Sequence, residues 1–401
     1  MAQVYKDALS RIFQDLKSRR ACISHDNEEV ALTWLRNEET RARAAYSLRQ
    51  NVEAAHRGKW LPRRHLKSKT DEPIELSSSI FAAHYNDVTT RISQLIIQAS
   101  DTNEKIGGIH ALNALIDFKG DDAGQKTTRF ASYLQSVLRG NDTMAMIVAA
   151  QAMGRLATPG GTLTAELVEA EVKTALEHLQ TERQENRRFA AVLVLRELAR
   201  NSPTLLFQWI PQILEVIWVA LRDPKVMIRE SAAEAVSACF EIMSNRDAEM
   251  RSKWFSRVYD EVLKGFNMGT VESIHGSLLT IKALLLKGAM FMHGQRYREA
   301  CDLVMRYKDH RDTLIRREVI SIIPTLASYA PSDFTSSYLH QCMLHLQGLI
   351  KRDKERGPAF VAVGKVASAV GSSIAPYLEG ILNYIKEGLT LKAYVHPSNS
   401  L

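Results

Sequence analysis

The sequence predicts an all-α fold in which helical hairpins stack in a row as an α-solenoid. Three features predict it. A stripe of mostly small residues at helical spacing returns about every 42 residues between 108 and 369; heavier apolar segments lie between the stripes; and Asp, Asn and Pro punctuate the chain just upstream of several of them. The stripe starts at a small or β-branched anchor and continues four and seven positions later, along one face of an α-helix. It runs Gly108, Leu112, Leu115; Ala150, Gly154, Ala157; Ala191, Leu195, Leu198; Ala232, Val236, Cys239; Gly276, Thr280, Ala283; Val319, Ile323, Leu326; and Ala362, Val366, Ala369. Successive anchors are 42, 41, 41, 44, 43 and 43 residues apart.

That step is the period of two-helix HEAT-type repeats, and an earlier anchored helix brings the expected array to about eight hairpins. Taken in chain order, the first is NEETRARAAYSL at 37–48, which places Ala44 and Leu48 in the first two stripe positions. Ala44 lies 64 residues before Gly108, about one and a half repeats, and a linker accounts for the excess. That linker is 56–79, HRGKWLPRRHLKSKTDEPIELSSS, which mixes Pro, Ser and charge with weak periodicity and reads as exposed. The anchored helices of 80–390 follow. Their stripe is small because each must sit close to its hairpin partner and to the next repeat. The partner helices are heavier, for example Thr204 to Leu221, where Leu205, Leu206, Phe207, Trp209, Ile210 and Ile213 crowd together, and Ser336 to Ile350. Asn141-Asp142, Asp223-Pro224 and Asp309 to Asp312 mark turns into anchored helices, since an Asp side chain accepts from a free helix N–H and Pro suits a first turn. The domain reading is therefore 1–55 as N-terminal helices and a first repeat, 56–79 as linker, 80–390 as the array and 391–401 as a divergent unstructured tail.

Composition narrows the function classes. The chain has 401 residues, 45% of them hydrophobic, enough for a continuous core that a repeat array extends linearly without splitting into globules. No stretch approaches 18 uncharged apolar residues and the first residues are charged too early for a secretory signal, so the expectation is a soluble, intracellular protein. Cys22, Cys239, Cys301 and Cys342 are far apart and suggest neither a disulfide framework nor a zinc site. The net charge of +7 raises the question of nucleic acid, with basic residues at Arg57, Lys59, Arg63, Arg64, His65, Lys67 and Lys69, and again at Arg187-Arg188, Arg316-Arg317 and Lys351-Arg352. Acids interleave every later run, 45 acidic residues against 52 basic ones, which favours solvated faces over a phosphate-binding track.

No chemistry-bearing constellation stands out. His340, Cys342 and His345 share one expected helix, but His340 and Cys342 are two apart and point to different sides, poor geometry for a metal. Pro159-Gly160-Gly161 lacks the lysine and the strand of a phosphate cradle and reads as a hairpin turn; no Gly-x-Ser-x-Gly elbow occurs. The sequence assigns no catalytic, cofactor-binding or metal-binding residue, no cofactor, and no particular partner-binding residue.

Several strings resemble one family. NEETRARAA near the start, NEKIGGIHALNALI at 103–116, RFASYL at 129–134, GRLATPGGTLTAELVEAEVKTALEHL at 154–179, NRRFAAVLVLRELA at 186–199, DPKVMIRESAAEAV at 223–236, IHGSLL at 274–279 and KERGPAFVAVGKVASAVGSSIAPYL at 354–378 resemble, in order, the N-terminal HEAT region of the TOR serine/threonine kinases, members of the phosphatidylinositol-3-kinase-related family. The resemblance covers roughly 34–390. It implies an assembly arm in nutrient and growth signalling that helps bind the raptor subunit and other proteins of the TOR complexes. It further implies a cytoplasmic protein, reaching vacuolar or lysosomal membranes only through its complex, with no small-molecule substrate of its own.

The family's kinase domain lies far towards the C-terminus, and a kinase needs a glycine loop, a lysine, a catalytic Asp and metal-binding Asn and Asp residues. His310-Arg311-Asp312 spells HRD, but Arg317 stands where Asn is required and no DFG follows, so a polar turn is the better reading. His396-Pro397-Ser398-Asn399 resembles part of the family's DRHPSN loop, yet Tyr394-Val395 replaces Asp-Arg. Enzymatic activity is therefore not expected. From about Leu389 the tail AYVHPSNSL departs from the family pattern, which suggests an excised, truncated or mis-joined piece of a longer protein whose last repeat exposes apolar surface. The competing reading is a free-standing HEAT adaptor of the transport-receptor or phosphatase-scaffold type.

Overall fold

The computed structural model describes residues 10–15, 27–56, 78–118, 123–159, 161–245 and 248–393. Among them there is no strand, and the helices build two compact units, 1–209 and 210–401, each an array of helical hairpins. The fold class is the expected α-solenoid.

In the first unit α1 (Asn27–His56) is followed by α2 (Ser78–Ser93), whose end widens into π-helix at Gln94–Gln98, then α3 (Thr102–Leu115), α4 (Ala123–Leu138), α5 (Thr143–Leu156), α6 (Thr162–Thr181), α7 (Glu185–Asn201) and the short α8 (Pro203–Leu206). The anchored helices α1, α3, α5 and α7 pack one on the next, and α2, α4 and α6 pack on α3, α5 and α7 as their hairpin partners. The second unit runs α9 (Ile210–Val216), α10 (Trp218–Leu221), α11 (Val226–Ser244), α12 (Ala248–Met268), α13 (Val271–Lys287), α14 (Gln295–Arg306), α15 (Thr313–Tyr329), α16 (Pro331–Ser337), α17 (Leu339–Ile350), α18 (Asp353–Val370) and α19 (Leu378–Ala393). Here α11, α13, α15 and α18 form the anchored row, backed by α10, α12, α14 and α17.

Every stripe residue from Gly108 to Val366 is buried, and only Ala369 is half-exposed. Close approach explains the small side chains. A Cβ on Gly276 would lie 1.9 Å from the carbonyl oxygen of Leu221, and one on Gly108 would lie 2.8 Å from Ile96 Cγ1 and 2.9 Å from Leu95 Cβ. On α12, Gly265 leaves room for Ser277, whose hydroxyl donates to the Val262 carbonyl at 3.0 Å.

The turns are capped largely as their residues foretell. Asp142 accepts from Ala145 N at 3.1 Å and Asp312 from Leu314 N at 2.7 Å, each at a helix N-terminus. Asp223 instead accepts from Lys225 N at 2.9 Å, and Pro224 lies ahead of α11 rather than in its first turn.

Two expectations need correction. Thr204–Leu221 is not one helix: Pro211 lacks the N–H that would reach the Phe207 carbonyl, and the chain passes through a 3-10 turn at Phe207–Trp209 before α9. The Ser336–Ile350 helix shifts at Tyr338 between α16 and α17. Gly265 is buried inside α12, and an exposed turn follows at Gly269 with φ 71°. The run 353–386 is long and apolar enough, by length and composition, to cross a membrane. It is broken at Gly371 (φ 57°), and α18 packs on α15 and α17 as the other anchored helices do. Nearly all of the 56–79 linker and residues 394–401 of the tail fall outside the described residues. On α19, Leu378, Leu382 and Ile385 expose the apolar surface expected near the end of the array.

A polar ladder joins the repeats, built on an arginine three residues before four of the anchors. Arg229 donates from Nη1 to the Asp223 and Pro224 carbonyls at 2.6 and 3.1 Å, and from Nε to His275 Nδ1 at 3.0 Å in the next repeat. Arg316 repeats the plan, reaching the His310 and Arg311 carbonyls at 2.8 and 3.0 Å and Glu355 at 2.6 Å. Arg188 donates to the Arg183 carbonyl at 2.6 Å, and Arg41 reaches Asn103 at 3.1 Å. The fork of a guanidinium satisfies turn carbonyls and the neighbouring repeat at once.

Two outcomes follow from this packing. Gly276→Ala drives a methyl into backbone and should cost at least about 1–3 kcal/mol, whereas Gly364→Ala, on an open face of α18 with nothing within 4 Å, should gain about 0.5–1 kcal/mol. Thermal unfolding of the pair checks the seam. His275 is 1% exposed, and burial, reinforced by Arg229, pulls its imidazole down to about 4. A depressed histidine stabilises the fold above its unfolded value near 6.5 and loses that contribution as pH falls from there towards 4, a loss of about 3 kcal/mol. His275→Asn, which keeps an acceptor for Arg229, should flatten the fall of the melting midpoint over that interval.

Candidate protein-docking cleft

In the second unit the partner-helix layer opens into a cleft of about 680 Å³. Pro211 bends the chain into α9 and α10, and Leu214, Trp218 and Arg222, four apart, line one wall. The other wall is α12, where Trp254, Val258 and Glu261 share a face with Arg257 beside them. The Arg222 guanidinium lies 5.4 Å from the Trp218 ring and bonds Glu261 at 3.0 Å. Arg257 stands 4.9 Å over the Trp254 ring and 3.5 Å from Glu215. Lys264 meets Glu261 at 2.6 Å. Burial alone would raise the Glu261 carboxyl, but hydrogen bonds from Lys264 and Arg222 outweigh it and hold the group below its ordinary value. Trp218 is almost covered, Trp254 is half-buried and Val219 is exposed.

Tryptophan and arginine carry most of the energy in protein interfaces, and here cation–π contact and ion pairs hold both ready in fixed positions. The three cations of the cleft are all taken up in pairs with Glu215 and Glu261. Elsewhere, burial pushes the thiols of Cys239, Cys301 and Cys342 up to about 12, which leaves them poor nucleophiles. Among the described residues no group of His, Cys, Asp and Glu is arranged to hold a metal.

The residues weighed from the sequence fall apart in space. His340 stands 3.1 Å from the Tyr377 hydroxyl, Cys342 is buried with its sulfur 3.6 Å from that of Met305, and His345 lies 4.0 Å from Asp309. Asp312 of the HRD string is the N-cap of α15. Gly161, with φ 88°, caps α6. Among the later basic runs, Arg316 and Arg352 pair with Glu355 and Lys351 lies over the Tyr384 ring. The 57–69 basic residues and His396 to Asn399 lie outside the described residues. The spacing that marks the stripe does not single out Trp218 or Trp254. The signal it passed over is Trp218 with Arg222 and Trp254 with Arg257, each pair one helical turn apart.

No family model matches the chain. Among curated proteins it is 41% identical over 318 residues to the serine/threonine-protein kinase tor1 of Schizosaccharomyces pombe, covering 79% of this chain and 14% of that protein. It is 36% identical over 329 residues to the serine/threonine-protein kinase TOR of Oryza sativa subsp. japonica (82% and 13%), and 36% over 335 residues to TOR2 of Saccharomyces cerevisiae (79% and 14%). The chain thus spans about one seventh of these relatives. Among solved structures, a Kap121p mutant matches with TM-score 0.50 at 10% identity, covering 97% of this chain and 44% of that one; yeast importin-beta, Kap95p, matches with TM-score 0.50 at 14% identity over 97% and 46%. Those likenesses establish the fold alone.

Thiol accessibility checks the buried cysteines. In the native chain iodoacetamide should leave Cys239, Cys301 and Cys342 unmodified over times that label them fully in denaturant, read by peptide mass spectrometry; rapid native labelling of any of the three would contradict the packing.

Proposed function

We propose, from the homology of four fifths of this chain to a segment of the TOR serine/threonine kinases, that it is the N-terminal HEAT scaffold of a TOR-type kinase. It works by binding other proteins, a raptor-type subunit among them, in nutrient and growth signalling. It acts in the cytoplasm and meets vacuolar or lysosomal membranes through its complex. The single observation that carries the reading is the 41% identity over 318 residues. A shared fold alone would not produce it, because solved structures of like fold match this chain at identities of 10 to 14%. Catalysis in this reading belongs to other parts of the kinase, of whose length the chain spans about one seventh.

Repeat arrays bind by spreading contact over successive helices, with a few anchors dominating. The Trp–Arg cleft supplies such anchors. Surface-immobilised chain should capture purified raptor-type subunit, and Trp254→Ala with Arg257→Ala should weaken capture by about tenfold or more. Failure of the unaltered chain to bind that subunit, with capture of transport cargo or phosphatase subunits instead, would overturn the scaffold reading in favour of a free-standing adaptor. Full affinity in the double variant would place the anchors elsewhere on the array.

A further inference from the structure

In the first unit a second, smaller cleft of about 100 Å³ lies where α4, α6 and α7 converge. That is several times the roughly 10–15 Å³ one water needs. Its floor is polar: Gln135 Nε2 donates to the buried Glu171 carboxylate at 2.6 Å. Its rim is basic. Arg139 stands one turn beyond Gln135, Thr174 and His178 lie one and two turns beyond Glu171, and Arg187 comes from the first turn of α7. Asn186 staples that turn to the end of α4 through the Arg139 and Gly140 carbonyls at 3.3 and 3.0 Å, which fixes the two arginine backbones beside each other.

The rim differs from the other arginines of the array. Arg229 and Arg316 are spent on turn carbonyls and neighbouring repeats, whereas among the described residues no ion pair or side-chain hydrogen bond engages the guanidinium of Arg139 or Arg187. The acids near the rim do not supply one. Glu182 turns its carboxylate to the backbone N–H groups of Arg183 and Gln184 at 2.9 and 3.0 Å and acts on Arg187 and His178 through charge alone, without an ion pair. Burial, followed by the charge of Arg187, depresses the His178 imidazole against the opposing pull of Glu182 and Glu177. Burial raises the Glu171 carboxyl despite Gln135 and Arg139.

We infer that this cleft binds a phosphoryl group, held by the guanidinium forks of Arg139 and Arg187 with His178 and Thr174 as further donors. Charge selects this class: a phosphate monoester carries about −1.5 to −2 near neutral pH and matches two guanidiniums, where a carboxylate matches one. The positive end of α7 adds to the attraction. The group arrives on a phosphorylated residue of a partner polypeptide or as free phosphate.

Arg139 is exposed and Arg187 half-exposed, so both can be changed without loss of core. Thermal unfolding in inorganic phosphate against chloride at equal ionic strength, and anisotropy of a labelled phosphoserine peptide, test the site in three chains: unaltered, Arg139→Gln with Arg187→Gln, and a control of equal charge, Arg306→Gln with Lys365→Gln. Phosphate should raise the midpoint of the unaltered and control chains but not of the double variant. The peptide should bind the unaltered and control chains and lose about tenfold or more on the Arg139→Gln, Arg187→Gln variant, with its Ser and Glu counterparts failing to bind. Binding of phosphate without the peptide would support the site and assign it to the free anion. No phosphate-specific shift and no peptide binding, or responses equal in all three chains, would overturn it.

Discussion

The closeness with which neighbouring anchored helices can approach governs the rest of the structure. Where Gly276 meets the Leu221 carbonyl, a single methyl has no room. That contact sets the spacing of α13 against α10 and, through α13, its packing on α11 and α15. Larger side chains would gain apolar area at one position and lose it along the whole helix, because close-packed interiors do not deform to absorb the excess. The heavy residues are therefore displaced to the partner layer, where Leu214, Trp218 and Trp254 have space, and that displacement leaves a cleft with aromatic walls.

The helical seam was legible in the sequence because it obeys one period and one residue class. Ala150, Ala191, Ala232 and Gly276 repeat at nearly constant steps, and each is buried as its spacing demands. Less legible was anything set by a single backbone event. Pro211 reads as one residue among apolar neighbours, yet its missing N–H divides the helix that builds one wall of the cleft. The arginine ladder recurs at half of the anchors, since Arg41, Arg188, Arg229 and Arg316 each precede one by three. It escaped notice because a charged residue on a helix is ordinarily taken for a solvated one, whereas Arg229 is 2% exposed. Both clefts depend on side chains from helices far apart in the chain, and no local pattern announces which pairs will meet.

Homology and geometry answer different questions about this chain. The relatives are kinases of which it spans about one seventh, and the described residues account for an array that presents surfaces. The two clefts sit in different units, one rich in Trp and Arg with its charges paired, the other with two rim arginines that no ion pair engages. An array of this kind can hold chemically distinct ligands without a shared active centre, because each hairpin contributes its own loops and faces on a common seam.

The ladder also has a consequence for how such a chain can vary in length. Arg229 and Arg316 reach carbonyls only five or six residues upstream, across the bend inside their own hairpin, so one added residue there would pull the carbonyls out of reach. Some links between one hairpin and the next are tied in the same way, as by Arg251 to the Ser244 carbonyl at 3.0 Å, whereas the longest gap between described helices, 57–77, lies between hairpins. Insertions and deletions among homologues should therefore be excluded first from the bends that these arginines span.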